Sequence, residues 1–280
     1  MTMDGPLRIA MWSGPRNIST AMMRSWGNRD DTVVVDEPLY ACYLAATGKP
    51  HPGADEVIAA GETGWRKVVH QLTESRPLTP SGPDAASGER GASQPRKTEI
   101  APDSVPHGVR GLPYKRIFYQ KHMTHHLLPQ MDRAFLAKLV NCFLIRHPRE
   151  VLASYTKIVE TPTLEDTGFA QQAEIFDWIT SHSGQNPLVL DAADVLKHPR
   201  RMLSLLCDAI RVEFQEAMLS WPAGARTTDG VWAKYWYGEV EKSTGFRPYQ
   251  LKHIDLPPRL ADLCADCLPY YEQLYEHRLR

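Results

Sequence analysis

The chain has 280 residues, 42% of them hydrophobic, and its 32 Lys and Arg against 33 Asp and Glu leave a net charge of −1. That is enough apolar material for one large core, and a charge near zero offers no field for nucleic acid or an anionic membrane. No apolar run is long enough to span a bilayer, residues 1–6 contain an acid, and the apolar run behind them is too short for a signal peptide. Five cysteines at irregular spacing read as reduced thiols, so the expectation is a cytoplasmic protein without nucleic-acid or membrane partners.

Residues 7–24 read as a short apolar strand at 7–12, a tight turn through Gly14 and Pro15, and a helix opened by Ser19 and Thr20. A helix N-terminus presents unpaired N–H groups and partial positive charge, which makes this strand–loop–helix an anion cradle. Arg16 adds a forked cation suited to phosphate or sulfate, and Ser19 and Thr20 can cap the helix or donate to a bound oxygen. It is not a Walker A loop: four residues follow Gly14 before Ser19-Thr20, with neither the second glycine nor the lysine. An ordinary capped first helix would look the same without a second anion contact elsewhere.

A second apolar strand is expected at 32–35, followed by Asp36-Glu37-Pro38, with Pro38 turning the chain out of the sheet. Residues 41–75 read as helical, with Trp65, Val68, Val69 and Leu72 at helical spacing. Residues 76–113 hold seven prolines and five glycines, a composition that cannot pack a core. This segment reads as one long mobile loop, either a cover over a pocket or a neutral surface insertion.

A third strand at 115–121 would set Lys121 and His122 at its carboxyl end, with His125 and His126 beyond. These histidines lack a standard zinc spacing, and His126 by default caps a helix or lies on the surface. The fourth strand, 139–145, ends in Arg146. Pro148 then opens a helix that carries Ser154, and a fifth strand is expected at 187–190. Ligands bind at the carboxyl ends of strands in open α/β sheets, which puts Arg146 beside the first turn.

Residues 229–239 concentrate aromatics around Lys234, as either a pocket wall or core packing. Trp12 packs the sheet or stacks on a base. Cys264 and Cys267 have redox spacing but fall in a helical stretch, 259–276, where a packed helix face is the plainer reading. The alternation of strands and helices predicts a single three-layer α/β domain over 1–280: a central parallel sheet of about five strands, a P-loop-like strand–loop–helix and extra helices.

Pro15-Arg16-Asn17-Ile18-Ser19-Thr20, with Arg146 and Ser154 eight residues later, resembles the family of sulfotransferases that use 3′-phosphoadenosine 5′-phosphosulfate (PAPS). The resemblance implies that residues 15–20 hold the 5′-phosphosulfate and that Arg146 and Ser154 hold the 3′-phosphate. Ile18 departs from the pattern, which usually has glycine there. Lys242-Ser-Thr-Gly245-Phe246 is similar to the late loop that closes over adenosine, with Lys242 or Arg247 near the 3′-phosphate and Phe246 near adenine.

By the same resemblance, Glu37 matches the carboxylate base of some members, while His122 or His125, assisted by Lys121, matches the histidine base of others. Glu37 could equally be the ion-pair partner of Arg16 or another arginine. The implied activity is transfer of a sulfuryl group from PAPS to a hydroxyl or amine of a small-molecule acceptor, with no metal required. An ATP–Mg²⁺ phosphotransferase or a non-catalytic nucleotide-binding protein remains the alternative.

Overall fold

A computed structural model describes residues 5–74, 115–251 and 254–280; the segment 76–113 lies outside these. The chain runs β1 (Leu7–Ser13), α1 (Ser19–Gly27), β2 (Thr32–Asp36), then α2 (Tyr40–Thr47), α3 (Ala54–Ala60) and α4 (Trp65–Thr73). It continues through β3 (Ile117–Met123), β4 (Val140–Ile145), α5 (Pro148–Tyr155), α6 (Leu164–Thr167) and α7 (Phe169–His182). The last elements are β5 (Leu188–Asp191), α8 (Ala192–Lys197), α9 (Pro199–Ala209), α10 (Ala233–Trp236), α11 (Gly238–Glu241) and α12 (Pro258–Glu276).

All five strands are parallel, in the order β2-β3-β1-β4-β5. They are mainly apolar because both faces of the sheet are covered, β3 departing from this with Gln120, Lys121 and His122. Ala10, Trp12, Phe118, Phe143 and Val189 share one core with α2–α4, α7 and α12. Ile9, Met11, Ile117, Tyr119, Leu144 and Leu190 face the other, with α1 and α9. Odd and even positions of each strand thus serve different layers, as the two-residue period requires. The expected α/β class and central parallel sheet of five strands are what the structure shows.

The 41–75 stretch departs from expectation in detail. It is three helices: Gly48 and Gly53, both in left-handed backbone (φ 62° and 72°), bound the break between α2 and α3, and residues 61–64 separate α3 from α4. Among the described residues no helix is long and apolar enough to cross a membrane.

The order of the strands fixes where a ligand can sit. From β1 the chain crosses to β2 on one side, and from β4 it crosses to β5 on the other. The connections diverge between β1 and β4, opening a crevice at their carboxyl ends. Nothing larger than Gly14 fits in the turn after β1: a Cβ there would lie 2.6 Å from the Thr167 carbonyl oxygen.

Candidate functional site

The crevice is a cleft of about 950 Å³. Residues 15–20 form one wall, Arg146 and Ser154 a second, and Glu37, Lys121 and His125 lie deeper. Two backbone outliers shape the first wall, Arg16 at φ 60° and Ile18 at φ 54°. Ile18 therefore takes the left-handed conformation that glycine would adopt freely, a strained state costing about 1–3 kcal/mol. That answers how the loop manages without its usual glycine: the turn is kept and strain is stored in it. Ile18 is also the N-cap of α1, and no side chain caps that helix. Of the two roles open to Ser19 and Thr20, capping is not taken up, and both line the cleft. No acidic residue lies in the first turn of α1, so its positive end is uncompensated.

Arg16 and Arg146 come together. Arg146 Nη1 donates to the Arg16 carbonyl oxygen at 2.8 Å, and Arg16 Nε donates to Ser154 Oγ at 2.9 Å. Burial, then the charge of Arg146, lowers the Arg16 pKa. Two cations held together against their mutual repulsion suit a bound anion. Glu150 offsets part of this charge, accepting from Arg146 Nε at 2.8 Å. Asn17 lines the cleft with the rest of its loop, yet its side-chain amide donates to the Leu144 carbonyl and pins the loop to β4.

Deeper in, β2 and β3 bring three charges into contact. Lys121 is buried and donates to Asp36 at 2.9 Å, to Glu37, and to the Tyr237 hydroxyl at 2.7 Å. Tyr237 donates in turn to Asp36 at 2.7 Å. Burial would lower the Lys121 pKa, but Asp36 and Glu37 carry it well above the ordinary lysine range. Burial raises the Glu37 pKa, with Lys121 opposing and Asp36 adding to the rise. Glu37 has φ 40° and its N–H bonds the Lys121 carbonyl; this sharp exit from β2 turns its side chain into the cleft.

Several expectations need correction. Glu37 pairs with Lys121, not with Arg16 or another arginine. Lys121 has all three N–H donors engaged, so in this arrangement none is left for a leaving-group oxygen. His122 does not line the cleft. Alternation along β3 sends Lys121 one way and His122 the other, onto Trp12 at 4.3 Å between ring centroids and Gln120 at 3.2 Å. Trp12 thus packs the sheet. Lys242 is a solvated cation, 3.6 Å from Glu239 and outside the cleft. Gly245, Phe246 and Arg247 do line it; Gly245 bridges to Ser220, and a Cβ there would approach Leu219 O at 3.0 Å.

His125 and His126 are buried at the end of β3 and line the cleft. His126 is neither a cap nor a surface residue: its ring stacks on Tyr40 at 4.5 Å and on Tyr43 at 4.8 Å. Burial drives the pKa of His125 down to about 3 and that of His126 well below its ordinary value. Both are neutral near pH 7. Tyr40, His51, Tyr155 and Trp236 complete this aromatic end. The 229–239 segment serves both readings offered for it, since Trp236 and Tyr237 face the cleft while Trp232 packs on the core. Sequence reasoning did not single out Tyr237, Tyr40 or His51; the aromatic density of 229–239 was the available signal for the first. Cys264 and Cys267 are unbridged on α12. Among the described residues no group of His, Cys, Asp and Glu is arranged to hold a metal ion.

The fold and site define an α/β protein with a cationic strand–loop–helix at the carboxyl end of a parallel sheet, beside a buried carboxylate–lysine pair. A family model described as "Sulfotransferase domain" matches residues 7–82 and 96–277, and the chain belongs to that family. It is 32% identical, over 98% of its length, to branched-chain-amino-acid aminotransferase-like protein 1 of Arabidopsis thaliana, and 30% identical over 96% to protein 2 of that name. The chain spans only 43% and 41% of those two relatives. Solved structures that resemble it include the sulfotransferase domain from the Synechococcus PCC 7002 olefin synthase (15% identity, TM-score 0.46, 100% of this chain and 98% of that one). Another is the sulfotransferase domain from the curacin biosynthetic pathway (18%, 0.48, 98% and 99%).

Proposed function

We propose that the protein transfers a sulfuryl group from PAPS to a hydroxyl or amine of a small acceptor, with Glu37 as the base. The observation that carries this reading is the shared cleft: Arg16, the N-terminus of α1, Arg146 and Glu37 all open onto one space. The donor's phosphosulfate would meet residues 15–20, and its 3′-phosphate Arg146 and Ser154. In the transfer, the acceptor oxygen forms a bond to sulfur as the bond from sulfur to the bridging oxygen breaks. The leaving 5′-phosphate keeps that electron pair, and the acceptor proton passes to Glu37 Oε. Arg16 and the helix N-terminus stabilise the charge growing on the departing phosphate. Lys121 acts by fixing the Glu37 carboxylate, not by touching the donor.

The test is calorimetric titration with 3′-phosphoadenosine 5′-phosphate (PAP), ATP and ATP–Mg²⁺. PAP should bind at least about tenfold more tightly than either ATP form, since the 3′-phosphate adds charge-assisted hydrogen bonds. Arg146→Ala should remove that preference. Tighter binding of ATP–Mg²⁺ would overturn the assignment in favour of a phosphotransferase.

A further inference from the structure

Among the described residues, His126 Nδ1 is a buried polar atom without a hydrogen-bond partner. It lines the cleft, 4.0 Å from Glu37 Oε2. With His126 neutral, that separation is no ion pair and too long for a hydrogen bond. Two atoms so spaced share a point about 2.8 Å from both, an ordinary O–H···O or N–H···O length. A buried nitrogen without a partner is costly unless a ligand satisfies it. The stacking of His126 on Tyr40 and Tyr43 fixes the ring, and hence the direction of Nδ1.

The charges around this gap are also asymmetric. Lys121 faces two carboxylates, Asp36 and Glu37, and Lys49, within electrostatic reach of His51 and His125, faces Asp166 at 2.8 Å and Glu165 at 3.8 Å. Burial also lowers the pKa of His51, so the three histidines of this wall add no positive charge. An anionic group on an acceptor would meet surplus carboxylate here; aromatic faces suit a neutral or cationic one.

We propose that the acceptor hydroxyl is held in the gap between Glu37 Oε2 and His126 Nδ1, and that this wall selects acceptors bearing no negative charge. In its Nδ1–H tautomer His126 donates to the acceptor oxygen, while Glu37 accepts that oxygen's proton as it bonds to sulfur. His126 thereby steadies the charge that develops on oxygen before transfer. This rests on the sulfuryl-transfer reading above and adds to it the second contact and the charge rule.

Three phenols differing only at the far end test it: tyramine, 4-ethylphenol and 4-hydroxyphenylacetate. Their affinity is measured with PAP bound and their turnover with PAPS. Wild type should prefer tyramine and 4-ethylphenol to 4-hydroxyphenylacetate by at least about tenfold, as like charges in a partly buried site dictate. His126→Phe keeps the stacked ring but removes the donor, and should lower kcat/KM for tyramine by about 30-fold with PAP affinity unchanged. His126→Asn, whose amide nitrogen takes the place of Nδ1, should recover most of that loss. Wild-type kcat/KM in His126→Phe, equal use of all three phenols, or PAP binding with none of them held would each overturn the inference. Failure of wild type to bind PAP would instead bring down the donor assignment beneath it.

Discussion

Glu37 stands between a buried ammonium and an open cleft, and the two neighbours pull its proton affinity in opposite directions. Desolvation raises its pKa and outweighs the pull of Lys121. The carboxylate must be ionised to accept a proton, so kcat/KM should fall as pH drops through a pKa above the ordinary glutamate value of 4.5. His125 as base would place that acid limb near its own pKa, about 3. Glu37→Gln keeps the hydrogen-bonding shape and removes the base; it should lower kcat by about 10²–10⁴-fold while PAP affinity stays near that of wild type. Near-normal turnover in that variant would move the base to His125. The position of Glu37 was legible because an apolar strand followed by an acid and Pro38 marks a strand's carboxyl end. Its partner was not: the Lys121 contact joins residues 84 apart in sequence, and only the β2–β3 register makes them neighbours.

At the scale of elements, α1 carries a buried charged tie to the segment after residue 225. Arg24, in its last turn, donates to Asp229 Oδ2 at 2.6 Å, and both side chains are buried. Asp229 also accepts from Arg226 N at 2.7 Å, and the Gly230 N–H reaches Asp36 at 3.3 Å. The 226–237 segment, which brings Trp236 and Tyr237 to the cleft, is thus fastened to the helix that forms the anion cradle. Asp229→Ala would leave Arg24 buried without its counter-ion, at a cost of about 3–5 kcal/mol. The urea midpoint should fall accordingly, and a loss under about 1 kcal/mol would mean that Arg24 escapes to water. The strands were legible to within two residues because runs such as Thr32-Val-Val-Val35 have no other stable use than a doubly covered sheet. The helices between β2 and β3 were less so, since the pattern at Val68 and Leu72 reports a buried stripe but not the breaks at 48–53 and 61–64. The tie from Arg24 to Asp229 was invisible for the same reason as the Lys121 pair, being a product of tertiary docking.

The molecule as a whole buries uncharged histidines, and this sets how its stability answers to acid. His122 lies against Trp12, while His125 and His126 lie at the end of β3; burial lowers the first two to about 3 and the third well below its usual value. Unfolded, each titrates near 6.5. Below that pH the unfolded chain binds protons that the folded chain refuses, so this stability is fully present above pH 6.5 and is lost as pH falls toward the folded values. Glu37 and Asp191 act in the opposite sense, because burial raises both and they take protons first in the folded state. Below about pH 5.5 the three unfolded imidazoles are almost fully protonated, and three histidine protons against at most two carboxylate protons leave the unfolded state ahead. The loss should therefore lie between about 1.4 and 4 kcal/mol per pH unit between about pH 5.5 and 4.5. Urea midpoints at about pH 5.5 and 4.5 measure it, and equal midpoints would show that these rings are solvated. His122→Phe keeps a ring against Trp12 and removes one titrating group, so the slope should drop by about 1.4 kcal/mol per pH unit. An unchanged slope in that variant would assign the acid sensitivity to His125 and His126 at the cleft.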